Sequence, residues 1–261
     1  MKNWLNLPKR RREAEAPRRR TYPDPELPEA TLRTAWQLVS LLLDYPSVEG
    51  TERLGLLREA AAALPEQVSA PLLRLVDHLA GTELQVAQKD YVDTFDTTRK
   101  CALHLTYYAY GDTRRRGIAL VQFKQAFRRG GLEVIEDELP DHLAVLLEFG
   151  ATGEDISIAW RLLNDHRAGI EMLQMGLDNR PSAWADAINA LRATLPALDG
   201  EQAEAVAKLL AEGPPDEEVG LDTYSLDPRL NPPPDADLMD ESFAFGPDAN
   251  TTRRAAQGVP S

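Results

Sequence analysis

From Glu29 to Glu212 apolar residues recur every three or four positions and almost never every second one, and this spacing limits the fold of the 261-residue chain more than any other feature. A side chain returns to the same helix face after about 3.6 residues, whereas a strand alternates its faces. Leu32, Trp36, Val39 and Leu43 form one stripe before Pro46. Leu54, Leu57, Ala61 and Leu64 form a second, closed by Pro65, and Leu72, Leu75, Val76 and Leu79 a third, stopped by Gly81. Proline and glycine end helices because one lacks an N–H and the other accepts the backbone angles of a cap. A fourth helix is expected from about Leu84 to Thr97. Asp112 reads as the N-cap of a helix running to Gly130-Gly131, and Pro140 with Asp141 as the first turn of one carrying Leu143, Leu146, Leu147 and Phe149. The longest stripe runs from Ile156 through Leu163 and Ile170 to Leu177, and further helices are expected around Ala183 to Leu195 and Glu201 to Leu210. The expected fold is all-α, a single bundle of about eight or nine helices.

The two ends lack this periodicity. Residues 1–28 hold eight Lys or Arg against four acids, and residues 213–261 hold ten acids against three arginines and carry Pro214-Pro215 and Pro232-Pro233-Pro234. The expected organisation is a basic disordered arm over 1–28, a helical domain over 29–212 and an acidic, proline-rich disordered tail over 213–261. The arginine runs of the arm have no apolar stretch behind them, so the arm is not expected to be an export signal.

A net charge of -13 argues against a nucleic-acid partner, which needs a surplus of Lys and Arg on one face, and favours a basic one. Cys101 is the only cysteine, so four-cysteine zinc sites and disulfides within the chain are excluded. No stretch approaches the roughly 18 apolar residues of a membrane span, and no exposed membrane-seeking segment is evident. Stable membrane insertion is not expected.

Residues with chemistry concentrate between Asp90 and Phe149. Tyr91 and Phe95 lie four apart and share a helix face; they serve as core, as the wall of an apolar groove, or as both. Asp96 closes the same helix with Arg99 and Lys100. His104 reads as a partly buried hydrogen-bonding residue, and His166 as a packed one. None of His78, His104, His142 and His166 is three or four residues from another, so no helix presents a ready pair of metal ligands. Gly111-Asp112-Thr113-Arg114-Arg115-Arg116-Gly117 places cations at a helix start, but it lacks the order of a phosphate loop, and consecutive arginines point about 100° apart. Glu138-Leu139-Pro140-Asp141-His142 groups two acids and a histidine before an apolar helix, a pattern that fits capping and binding equally. No nucleophile elbow and no dinucleotide glycine pattern is present, so no catalytic residue is assigned.

Taken in order, Tyr91-x-x-x-Phe95-Asp96, Leu103-x-Leu105, Gly111-Asp112-x-Arg114-x-Arg116-Gly117 and Glu138-Leu139-Pro140-Asp141-His142-Leu143, ending in Leu147-Glu148-Phe149, closely resemble the nitrate reductase delta-subunit family. These are assembly chaperones of the NarJ type, related to the TorD and DmsD redox-enzyme chaperones, and the resemblance covers about Leu32 to Leu210. It implies an all-helical cytoplasmic chaperone, not an enzyme, that binds the N-terminal segment of the catalytic (alpha) subunit of respiratory nitrate reductase. It further implies that the chaperone assists insertion of molybdopterin guanine dinucleotide into that client before membrane docking. No cofactor or metal is then held permanently, and molybdenum cofactor biosynthesis proteins are further partners. On this resemblance the client-binding residues are Tyr91, Phe95, Asp96, Glu138, Pro140, Asp141 and His142, with His104, Asp112, Arg114 and Arg116 secondary. Two other readings are a nucleotide- or molybdopterin-binding protein using Arg114, Arg116 and His142, and a structural subunit of the membrane complex.

Overall fold

The computed structural model describes residues 21–134 and 138–213. Residues 1–20 of the expected arm and 214–261 of the expected tail lie outside them. Among the described residues every regular element is helical: α1 Glu29–Leu42, α2 Val48–Ala62, α3 Glu66–Ala80, α4 Leu84–Tyr91, α5 Leu105–Tyr110, α6 Arg114–Arg129, α7 Leu143–Thr152, α8 Ile156–Asp165, α9 Arg167–Asp178, α10 Ala185–Arg192 and α11 Gly200–Glu212. A π-helical turn, Val92–Asp96, extends α4, and a short 3₁₀ turn covers Arg99–Cys101.

Among the described residues eleven α-helices stand where about eight or nine are expected, for two reasons. The stripe from Ile156 to Leu177 breaks at His166, whose backbone leaves helical angles (φ -105°, ψ 20°) without changing the phase of the apolar positions. The six-residue α5, Leu105-Thr106-Tyr107-Tyr108-Ala109-Tyr110, is too short to show a period.

Helix α1 lies at the centre and packs chiefly on α7, while α3 sits against α2 and α10, and α9 against α10 and α11. Trp36 of α1 is fully buried, donates its indole N–H to the Thr194 hydroxyl at 3.0 Å and stacks on Trp160 with centroids 6.4 Å apart. A Cβ on Gly150 of α7 would meet Trp36 at 2.6 Å, so only glycine lets these two helices approach this closely. Arg33 donates to the carbonyls of Ala151 at 3.0 Å and Gly153 at 2.8 Å, placing a cation on the carbonyl end of α7. Glu171 of α9 holds Arg167 and Arg192 at 2.9 Å each, which ties α9 to α10. The last residues of the expected arm lie against the body: Tyr22 and Leu27 pack on the core, and the Trp160 indole donates to the Pro23 carbonyl at 3.1 Å.

Candidate functional site

The junction of α4 with its π-turn sets the first wall of the site. A π-turn inserts one residue into the helical ladder and re-aims the side chains beyond it. Tyr91 and Phe95 still face each other, with ring centroids 4.8 Å apart, and Trp184 meets both edge-on at 5.4 and 5.7 Å. Tyr45 closes on Tyr91 at 5.5 Å from the other side. The Tyr91 hydroxyl donates to the Leu43 carbonyl at 3.0 Å. Burial pushes its pKa up, helped by Asp44, Asp96 and Glu138, so it remains a protonated donor. Tyr91 and Phe95 are each only 7% exposed, and their free edges line a cleft of about 340 Å³. They are core and wall at once.

The opposite wall comes from two segments distant in sequence. An isolated antiparallel bridge pairs His104 with His142 through Leu105 N–H to Asp141 carbonyl at 3.0 Å and Leu143 N–H to Leu103 carbonyl at 2.8 Å. It turns the two imidazoles edge to face, 5.2 Å apart. Asp141 therefore does not cap its own helix, which starts at Leu143 after His142. Its fully buried carboxylate crosses to the other segment, accepts from the backbone N–H and hydroxyl of Thr106, and lies 3.3 Å from His104 Nδ1 and 3.7 Å from the Arg116 guanidinium. Burial opposes its ionisation, but the hydrogen bonds of His104 and Thr106 and the charge of Arg116 outweigh it and hold the pKa below the usual carboxylate range. His142 is pushed down to about 4 by burial and by His104, so it is neutral at pH 7. Its Nδ1 is buried and has no hydrogen-bond partner among the described residues.

Asp112 also departs from expectation. Helix α6 starts at Arg114 behind Thr113, and no side chain caps it; Gly111 supplies the turn with a φ of 56°. The Asp112 carboxylate accepts instead from Arg116 at 3.0 Å, and Arg116 also donates to the Thr106 hydroxyl at 3.3 Å. Arg116 thus joins exposed Asp112 to buried Asp141. Arg114 is exposed on the outside of α6 and does not line the cleft.

The cleft gathers Tyr91, Phe95, Asp96, His104, Asp112, Arg116 and His142. Pro140 and Asp141 are buried beneath it and position its wall rather than reach its opening. Glu138 faces an adjoining groove of about 420 Å³, which His142 also borders. That groove sets the acids Asp44, Glu133, Glu138 and Glu148 around Leu41, Leu132 and Val145, and among the described residues neither Lys nor Arg lines it. Sequence reading assigns no site role to Trp184, Thr106 or Asp44, and names Glu148 only as part of the resemblance. Trp184 and Thr106 belong to the site only through long-range contacts, and lone acids beside apolar stripes look like any solvated helix face. A larger cavity of about 630 Å³, between α5, α6, α9 and α11, is lined by none of the client-binding or secondary residues expected from sequence; His166 on its wall packs edge-on against Phe123 at 5.0 Å.

Cys101 is buried and its thiol is pushed up by burial, the character of a packing residue. Among the described residues no three His, Cys, Asp or Glu side chains group as metal ligands, and no helix is long and apolar enough to cross a membrane.

Residues 61–190 match the family model described as nitrate reductase delta subunit. The chain is 35% identical over 156 residues to the nitrate reductase-like protein NarX of Mycobacterium tuberculosis, covering 60% of this chain but only 23% of that one. It is 30% identical over 161 residues to the probable nitrate reductase molybdenum cofactor assembly chaperone NarJ of Bacillus subtilis, covering 60% of this chain and 85% of that protein. With the nitrate reductase molybdenum cofactor assembly chaperone NarJ of Escherichia coli the identity is 32% over 151 residues, covering 57% and 64% of the two chains.

Proposed function

Because the chain belongs to the nitrate reductase delta-subunit family, we propose that it is an assembly chaperone for nitrate reductase and not itself an enzyme. Its client is the catalytic subunit, held by its N-terminal segment in the cytoplasm while molybdopterin guanine dinucleotide is inserted, and released to the membrane partner afterwards. The cofactor belongs to the client, and the proteins that deliver it are transient partners of the complex.

The observation that carries this reading is the pair of adjoining clefts that share His142. One is backed by aromatic rings, and the other is lined by four carboxylates with no Lys or Arg among its described lining residues, Arg128 pairing with Glu133 at its edge. A basic amphipathic helix suits both: its apolar face meets Tyr91, Phe95 and Leu41, and its cations meet Asp44, Glu138 and Glu148. Charge of opposite sign speeds encounter, and burial of the apolar face supplies the affinity. Asp141 positions this surface by joining its two segments. The nucleotide reading uses Arg114, Arg116 and His142, but Arg116 donates to Asp112 and Thr106 and Arg114 does not line the cleft, which leaves Arg99 as the exposed cation on its wall.

Glu138 and Glu148 are exposed, so reversing their charge leaves the core intact. In cells whose own chaperone is deleted, Glu138→Lys with Glu148→Lys should lower nitrate reductase activity by roughly tenfold, as two lost charge contacts predict, with unchanged helicity. Full maturation by this variant would remove the acidic groove from the client site.

A further inference from the structure

Helix α6 carries six basic side chains, Arg114, Arg115, Arg116, Lys124, Arg128 and Arg129, and no acid, in a chain of net charge -13. Arg116 turns inward to Asp112 and Asp141, and Arg128 pairs with Glu133. The other four have no ion-pair partner among the described residues. Ala119, Phe123, Ala126 and Phe127 hold the opposite face of the helix against the body. At about 100° per residue, Ile118 and Val121 fall in the middle of the outer face, in line with Arg114 and Gln125, while Arg115 and Lys124 flank them and Arg128 and Arg129 close the far end. Ile118 and Val121 are 52% and 53% exposed. The face is an aliphatic centre with a cationic rim.

Area decides what such a face can hold. A helix of this length is about 24 Å long and about 10 Å wide, so its outer face offers roughly 240 Å², well short of the roughly 800 Å² per partner of a specific protein interface. Nucleic acid gains nothing from Ile118 and Val121. A lipid leaflet needs no matching shape: the two aliphatic side chains enter the boundary between headgroups and acyl chains, and the long basic side chains reach up to the phosphates. The surrounding negative charge is screened beyond a Debye length of about 8 Å.

We infer that the outer face of α6 is an adsorption surface for an anionic membrane leaflet. Adsorption here is reversible and peripheral, with no segment spanning the bilayer. Only two aliphatic residues mark it, which is why periodicity alone does not single it out. The inference does not rest on the client reading.

Sedimentation of the full chain with vesicles of phosphatidylglycerol and phosphatidylcholine in equal parts, against pure phosphatidylcholine, tests it. The wild type should bind the anionic vesicles only, and more weakly as salt rises. A cation near an anionic surface contributes about fivefold, so Arg115→Gln with Lys124→Gln and Arg129→Gln should lower the partition constant by about a hundredfold. Ile118→Ser with Val121→Ser should lower it severalfold. Circular dichroism of both variants should match the wild type, and vesicle binding is read independently of any client peptide. No preference for anionic vesicles overturns the inference, as does wild-type binding by the glutamine variant. If the serine pair binds normally while the glutamine variant does not, the face is a diffuse cation surface suited to an acidic protein, and the membrane assignment fails.

Discussion

Two segments converge on the Asp141 carboxylate: the stretch from His104 to Thr106 that opens α5, and Arg116 of α6. Removing one partner of a buried ionic network leaves the others uncompensated, so Asp141→Ala should cost about 3 kcal/mol in urea unfolding. Its pH dependence has a definite sign. The folded carboxyl titrates below its unfolded value of about 3.9, so its contribution is complete at neutral pH and disappears as pH falls through the folded pKa. His142 acts in the same direction at higher pH. With a folded pKa of about 4 against 6.5 unfolded, the unfolded chain takes up a proton between those values and the native chain does not. Stability should therefore be full above pH 6.5 and fall steadily toward pH 4, and His142→Gln should flatten the urea midpoint across that window. Buried His166 is shifted the same way, so part of the slope should remain. An unchanged slope in His142→Gln would place the titration elsewhere. None of this network was legible locally, since Thr106 lies 35 residues from the carboxylate it binds. A buried acid just before a helix reads as a cap until its partner is known.

The helices show where sequence reading succeeds. Leu32, Trp36, Val39 and Leu43 are all buried in the core as their spacing requires, and so are Leu72, Leu75 and Val76. Period reports which face is inside, and it says little about where a helix ends once the apolar phase runs on. For that reason the break at His166 was hidden inside a continuous stripe. The aromatic pair was legible because its members share one helix, whereas Trp184, which touches both, comes from the turn before α10. Close approach of two helices is also hidden, because it depends on what a residue lacks. Gly150→Ala would set a methyl 2.6 Å from Trp36 and 2.9 Å from Ala159, forcing α1 and α7 apart. Overpacking of this kind should cost about 2 kcal/mol, seen as a lower thermal midpoint. A wild-type midpoint would mean that the α1–α7 contact tolerates more slack than its geometry shows.

Across the whole molecule, charge sorts into surfaces of opposite sign. The groove beside His142 is lined by acids and the outer face of α6 by cations, although the net charge is strongly negative. If client recognition combines charge with apolar burial, added salt should weaken peptide binding without abolishing it, because screening acts on the exposed carboxylates and not on the aromatic wall. Binding that vanishes at high salt would leave no part for Tyr91 and Phe95. The central claim is that these joined clefts hold the N-terminal segment of a nitrate reductase catalytic subunit. Calorimetric titration of that peptide into the full chain tests it most directly: the account predicts saturable binding that Glu138→Lys with Glu148→Lys weakens by roughly tenfold, and absence of binding at high micromolar peptide, or equal affinity for the variant, would contradict it.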